Sequence, residues 1–401
     1  MKIKFYTLLI TGLTILATLC GCSGEALDVD TVNKQTILVF CPWSGSNTSS
    51  GLLPYLQANL ADIKSAIVKN KGLNNTRVFV FFSSSANQSQ LSEITYNTST
   101  FQVDETTVAN YEGTDYTTTQ GLAAILNKVK EQGEALNYAL IIGGHGRGWI
   151  GKEDWFAQST KAKAAAAKVV SDDGLPLSRY FGSAGTAEFC IDVNTLADAI
   201  KTAGIKMQYI LFDVCYMANV ETAYALKDAT NFLIASPNEI MGTGVPYNDL
   251  WTYLNTSTPN YSSFVSGFVS YYKETSTPYA SMAAIDCRQM DNMAAVMKEI
   301  NKEYTITQAQ LDTVQIHDGH TPPLFYDFNH YVACFVPTSS LSRKYNDIFS
   351  KLVPYVESTD KAFISITKKD SIKLNHCCGL TISDPSSAPG KEKSEWWKAT
   401  H

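Results

Sequence analysis

Apolar residues along this chain gather in short unbroken runs, separated by longer stretches with helical spacing. The runs at residues 36–41, 77–82, 232–236 and 281–286 are short and rich in branched or aromatic side chains. Runs of this kind suit strands buried on both faces. A further strand is predicted over 378–383. Residues 53–68 are amphipathic, and Leu122, Ile125, Leu126 and Val129 fall at i, i+3, i+4 and i+7. Val193, Leu196, Ala197 and Ile200 repeat that spacing, so each segment presents one apolar helix face. Helices are also predicted near 262–272, 290–304 and 340–356. Strand, helix, strand in this order predicts an α/β fold: a mostly parallel sheet with right-handed crossovers and helices on both faces.

Two of the apolar runs end on reactive residues. Tyr138-Ala-Leu-Ile-Ile-Gly-Gly-His-Gly-Arg-Gly-Trp149 delivers His145, and Tyr209-Ile-Leu-Phe-Asp-Val-Cys-Tyr-Met217 delivers Cys215. Ligands of open α/β sheets bind where such strands end. A thiol and an imidazole placed there can serve as a nucleophile and its proton-transfer partner, which points to a cysteine hydrolase. The remaining histidines, His317, His320, His330, His376 and His401, lie outside these runs and are expected at the surface.

The start of the chain bears on location. Lys2 and Lys4 precede an apolar stretch over 8–19, which has the charge and length of a secretory signal and is too short for a full membrane span. It ends in Leu19-Cys20-Gly21-Cys22, which resembles a bacterial lipobox and implies cleavage before Cys22 and lipidation of its sulfur. The expected organisation is a signal peptide over 1–21, a tether over 22–35, a catalytic core over 36–255 carrying an insertion at 157–190, and a C-terminal part over 256–401 that completes the sheet and adds helices. The insertion, with Lys161, Lys163, Lys168 and a Gly/Ser-rich stretch, reads as exposed.

Cleavage after residue 21 removes two lysines and moves the formal charge from -6 to -8. That balance argues against nucleic acid as a partner. Beyond Cys22 there are seven cysteines, so at least one stays unpaired, and Cys215 is the expected one. Their spacings match no zinc pattern, so no metal is expected, although Asp172-Asp173 could ligate calcium.

The His145 and Cys215 segments, together with Glu221, Ala235-Ser-Pro-Asn-Glu239 and Gly244-Val-Pro-Tyr247, resemble the clostripain family of cysteine peptidases. That family is similar in fold to caspases, gingipains and legumain, so the resemblance implies a caspase-like α/β/α sandwich. It covers roughly residues 36–255 well. Carried over residue by residue, it makes Cys215 the nucleophile, His145 the general base and acid, and Gly146 an oxyanion donor beside the N–H of Cys215. Asp213 shares the strand face of Cys215 and reads as a recognition group for a basic side chain or as a structural acceptor. Glu239 is the one acid after the following strand, where the family commonly carries several, and Val245 stands where a tryptophan is common.

The implied protein is an exported endopeptidase of the cell envelope, anchored by lipid to an outer membrane or cell surface and acting on peptide or protein substrates. It is expected to be a monomer, to need no cofactor, to cleave after Arg or Lys, and to process itself within 157–190. Two other classes remain at this point: a caspase-fold lipoprotein that binds without catalysis, and a cysteine amidase or transferase acting on non-protein amides.

Overall fold

The computed structural model describes residues 32–46, 51–154, 182–183, 187–365 and 371–401. The signal segment, Cys22, Asp172-Asp173 and the three insertion lysines lie outside the described residues. Asn33–His401 forms one compact unit.

Its centre is a nine-stranded sheet in the order β10-β8-β7-β6-β5-β1-β2-β3-β4. The strands are β1 (Gln35–Cys41), β2 (Thr76–Ser85), β3 (Gln88–Asn97), β4 (Gln102–Tyr111), β5 (Asn137–Gly143), β6 (Met207–Asp213), β7 (Thr230–Ala235), β8 (Ser281–Asp286) and β10 (Tyr355–Ser358). The short β9 (Tyr326–Asp327) pairs outside this sheet. β2, β1, β5, β6 and β7 pair in parallel, and only β3 and β8 run against the rest.

Alternation along each strand sorts side chains into two cores. Leu38, Phe40, Ile142, Ile210 and Phe212 face one core, where they meet Leu122, Ile125 and Leu126 of the crossover helix Thr119–Gln132 and Leu196 and Ile200 of the helix Val193–Thr202. Ile37, Val39, Ile141, Tyr209 and Leu211 face the other, built from the helices Leu53–Lys69, Tyr247–Leu254 and Tyr261–Lys273. The result is an α/β/α sandwich whose buried strands are the ones with unbroken apolar runs.

Three differences from the sequence expectation have physical causes. β3 and β4 extend the sheet as an antiparallel hairpin where no strand was predicted, because their polar and β-branched residues leave one side in solvent. The helix predicted over 340–356 ends at Leu352, since Pro354 disfavours helical backbone at Val353, and the chain continues into β10. Of the strand predicted over 378–383, only Thr381–Ile382 is extended and paired, against β9.

Candidate active site

β5 and β6 are neighbours in register, with Gly143 opposite Asp213. His145 and Cys215 are each the second residue beyond that pair, so the sheet itself sets both at one edge. Their loops also touch directly. A β-carbon on Gly146 would lie 2.4 Å from the Cys215 carbonyl oxygen and 2.9 Å from its nitrogen, closer than any side chain tolerates. Only glycine lets the residue after the histidine lie against the Cys215 backbone. Gly148, at φ 71°, packs in the same way on the Phe325 ring and the Tyr216 carbonyl.

The Cys215 sulfur is 3.3 Å from the donating N–H of Ile240. It shares a small apolar cluster with Ile150, Tyr216, Leu324, Phe325 and Ala388, and only 1% of the residue is exposed. His145 is half-buried, and its backbone N–H donates to the Gly182 carbonyl at 3.3 Å. The loop beyond it is pinned by Arg147, whose buried guanidinium donates to the Ile150 carbonyl at 3.1 Å and to the Asp192 carboxylate at 3.2 Å. Arg147 was visible within the histidine motif, but its partner lies 45 residues away and nothing local signals it.

Tyr216, directly after Cys215, adopts φ 59° although it carries a β-carbon. Left-handed backbone at such a residue costs about 1–2 kcal/mol, so its surroundings must hold it. Its N–H donates to the Asn238 carbonyl at 3.0 Å, its hydroxyl donates to Glu239 Oε1 at 2.8 Å, and its ring stacks on Phe325 at 5.1 Å between centroids. Burial, and then the Glu239 charge, pushes the Tyr216 hydroxyl well above the usual tyrosine range, so it stays a neutral donor.

Asp213 is buried on the face that meets Tyr247–Leu254. Its carboxylate accepts from the Val245 N–H at 3.1 Å and the Tyr247 hydroxyl at 3.2 Å. Glu239 is also buried; besides Tyr216 it accepts from the Ser365 N–H at 3.0 Å through Oε1. Its Oε2 is buried with no hydrogen-bond partner among the described residues. Glu221, quoted with the motif, lies elsewhere: it accepts from the Ser383 N–H at 2.8 Å beside Asp384.

Two expectations need correction. His317 is fully buried, with its ring between Asn238 and Asp327, because each ring nitrogen meets a polar side chain inside the protein. No disulfide joins the seven cysteines among the described residues, so an odd count does not single out Cys215. No group of three metal-ligating side chains occurs among the described residues.

The arrangement is that of a cysteine peptidase of caspase-like fold, with histidine and cysteine at the ends of adjacent parallel strands. The clostripain family's sequence profile matches residues 44–361, and the chain belongs to that family. Among solved structures it is similar to iotapain, a secreted C11 cysteine protease from Bacteroides thetaiotaomicron, at 35% identity and TM-score 0.81, covering 92% of this chain and 99% of that one. A clostripain from the same organism, solved with the peptide inhibitor BTN-VLTK-AOMK, is 40% identical over 55% of this chain and 99% of that one, with TM-score 0.53. An inactive zymogen C11 protease from Parabacteroides distasonis shares the fold at 23% identity and TM-score 0.76, covering 92% of this chain and 99% of that one. No curated protein matches the chain.

Proposed function

We propose that this cysteine peptidase is an exported, lipid-anchored endopeptidase that works through a Cys215–His145 dyad and cleaves after arginine or lysine. The observation that carries the dyad is the register of β5 and β6, which sets both residues two positions beyond one strand pair. The Cys215 thiolate attacks the scissile carbonyl carbon, and the protonated His145 gives its proton to the leaving amine. Water, deprotonated by His145, then hydrolyses the thioester and restores the thiol. The N–H groups of Gly146 and Cys215 stabilise the oxyanion, in keeping with the close approach that Gly146 allows. The chemistry calls for no metal, and the protein acts as a monomer.

Basic specificity is supported by two buried acids near the nucleophile, Asp213 and Glu239, the second with an unpartnered oxygen among the described residues. The inhibitor bound to the related clostripain has a peptide part that ends in lysine. Export agrees with the description of iotapain as secreted. Among the described residues no helix is long and apolar enough to cross a membrane. The anchor rests on the lipobox-like Leu19-Cys20-Gly21-Cys22. The 1% exposure of Cys215 supports an activation step, assigned to self-cleavage within 157–190. A peptide-library cleavage profile of wild type and Cys215→Ala tests the nucleophile and the specificity: turnover is expected in the first alone, with cuts after basic residues.

A further inference from the structure

We propose that His317 is a positioning residue for catalysis, holding the strained residue that follows the nucleophile. Tyr216 is left-handed, and two of its three restraints come from Asn238 and Phe325. His317 is bonded to both of them. Its backbone N–H donates to the Phe325 carbonyl at 2.9 Å. Its carbonyl accepts from Asn238 Nδ2 at 2.8 Å, while its Nδ1 lies 3.0 Å from Asn238 Oδ1. Because Nδ2 is the donor to a carbonyl, Oδ1 is the acceptor, so Nδ1 of the ring donates to it.

The other side of the ring is anchored in turn. Nε2 lies 3.4 Å from Asp327 Oδ2, and that carboxylate also accepts from the backbone N–H groups of Cys378 at 2.7 Å and His330 at 2.9 Å. Burial alone would raise the Asp327 carboxyl, but the hydrogen bond with the His317 ring and the N–H groups of Cys378 and His330 outweigh it and hold the group below its ordinary range, so it remains an anion. Asn238 Oδ1 takes a further bond from Ser281 Oγ at 2.8 Å, tying the assembly to β8. His317, Asn238 and Asp327 are each at most 1% exposed, so these bonds form without competition from water. The three act on Cys215 through Tyr216, whose N–H is held by the Asn238 carbonyl. A loop end that also supplies an oxyanion N–H is sensitive to small displacements.

The inference rests on Cys215 being the nucleophile, so Cys215→Ala is measured alongside. The experiment compares wild type, His317→Gln and His317→Leu for kcat, KM, melting temperature and the rate at which a covalent peptide probe labels Cys215, located by mass spectrometry. His317→Leu is expected to lower kcat and the labelling rate by about 10- to 100-fold with KM nearly unchanged. His317→Gln, which can still donate to Asn238 Oδ1, is expected to recover most of both. A folded His317→Leu with wild-type kcat and labelling overturns the proposal, as does a loss that only follows the fraction of unfolded protein. If His317→Leu does not fold, Asn238→Ala removes both side-chain bonds to His317 while keeping the carbonyl that faces Tyr216, and the same selective fall in kcat is expected; unchanged kcat there overturns it equally. Turnover retained in Cys215→Ala would instead remove the dyad on which the inference stands.

Discussion

The β-carbon that Gly146 lacks would stand 2.4 Å from the carbonyl oxygen of Cys215. The loops of His145 and Cys215 are therefore fitted backbone to backbone, and the position has no room for alanine. Gly146→Ala is expected to lower kcat by roughly 10²–10³, the scale of one lost oxyanion donor, with a smaller change in KM. Steady-state kinetics of the folded variant check this, and a kcat within a few-fold of wild type would show that the contact is not part of the reaction.

Cys215→Ala should abolish turnover, and His145→Ala should lower it by roughly 10²–10⁴, the usual contribution of a positioned acid–base group. Both variants should melt close to wild type, because neither residue is a large packing element. A thiol-directed active-site probe should modify Cys215 in wild type and react far more slowly in His145→Ala. Equal labelling in both would detach the histidine from the thiol's reactivity and favour a binding protein over an enzyme.

Substrates that differ only in the residue before the scissile bond decide specificity. A charged hydrogen bond to a buried carboxylate is worth about 1.5–3 kcal/mol, which predicts roughly 10- to 100-fold higher kcat/KM for Arg or Lys than for Ala, with Asp lowest. The same preference predicts that the active enzyme is nicked between residues 157 and 190 while Cys215→Ala stays in one piece. No advantage for the basic pair would leave Asp213 as a structural acceptor for Val245 and Tyr247.

The buried carboxyls of Glu221 and Asp384 make stability depend on pH. Burial raises Asp384 to about 7, against the opposing bond from Trp396 and charge of Lys391. Burial, then the charge of Asp384, raises Glu221 well above its usual range. The folded protein therefore binds more protons than the unfolded chain from about pH 4 upward, and stability falls as pH rises toward the folded value of about 7. The melting temperature should drop between about pH 5 and about pH 8, and Asp384→Asn, which keeps an acceptor for the Trp396 N–H, should flatten that slope. An unchanged slope in the variant would assign the titration to other groups.

Cys22 should carry lipid in the mature protein, and the wild type should partition into membranes, whereas Cys22→Ser should be soluble or retain residues 1–21. Intact-mass measurement of the membrane fraction settles this; an unmodified Cys22 at the mature N-terminus would exclude the anchor.

The strands that carry His145 and Cys215 were legible because a strand buried on both faces must be apolar at every position, and few other structures impose that pattern. β3 and β4 were not, since a half-exposed hairpin of polar residues differs little from a loop. Pro354 was a readable stop signal inside the helix predicted over 340–356, and the apolar spacing obscured it.

The sequence by itself determined the sheet's buried centre, the helices that cover it and the two reactive residues at its edge, because these follow from local periodicity and from motifs a dozen residues long. Only the tertiary structure decided that Tyr216 is left-handed, that Gly146 lies against the Cys215 backbone, and that His317 is buried between Asn238 and Asp327. A hydrogen bond between residues 79 positions apart, as between His317 and Asn238, leaves no periodic trace in either segment. It exists because folding removes water from both partners, and each must then find its donor or acceptor in the other.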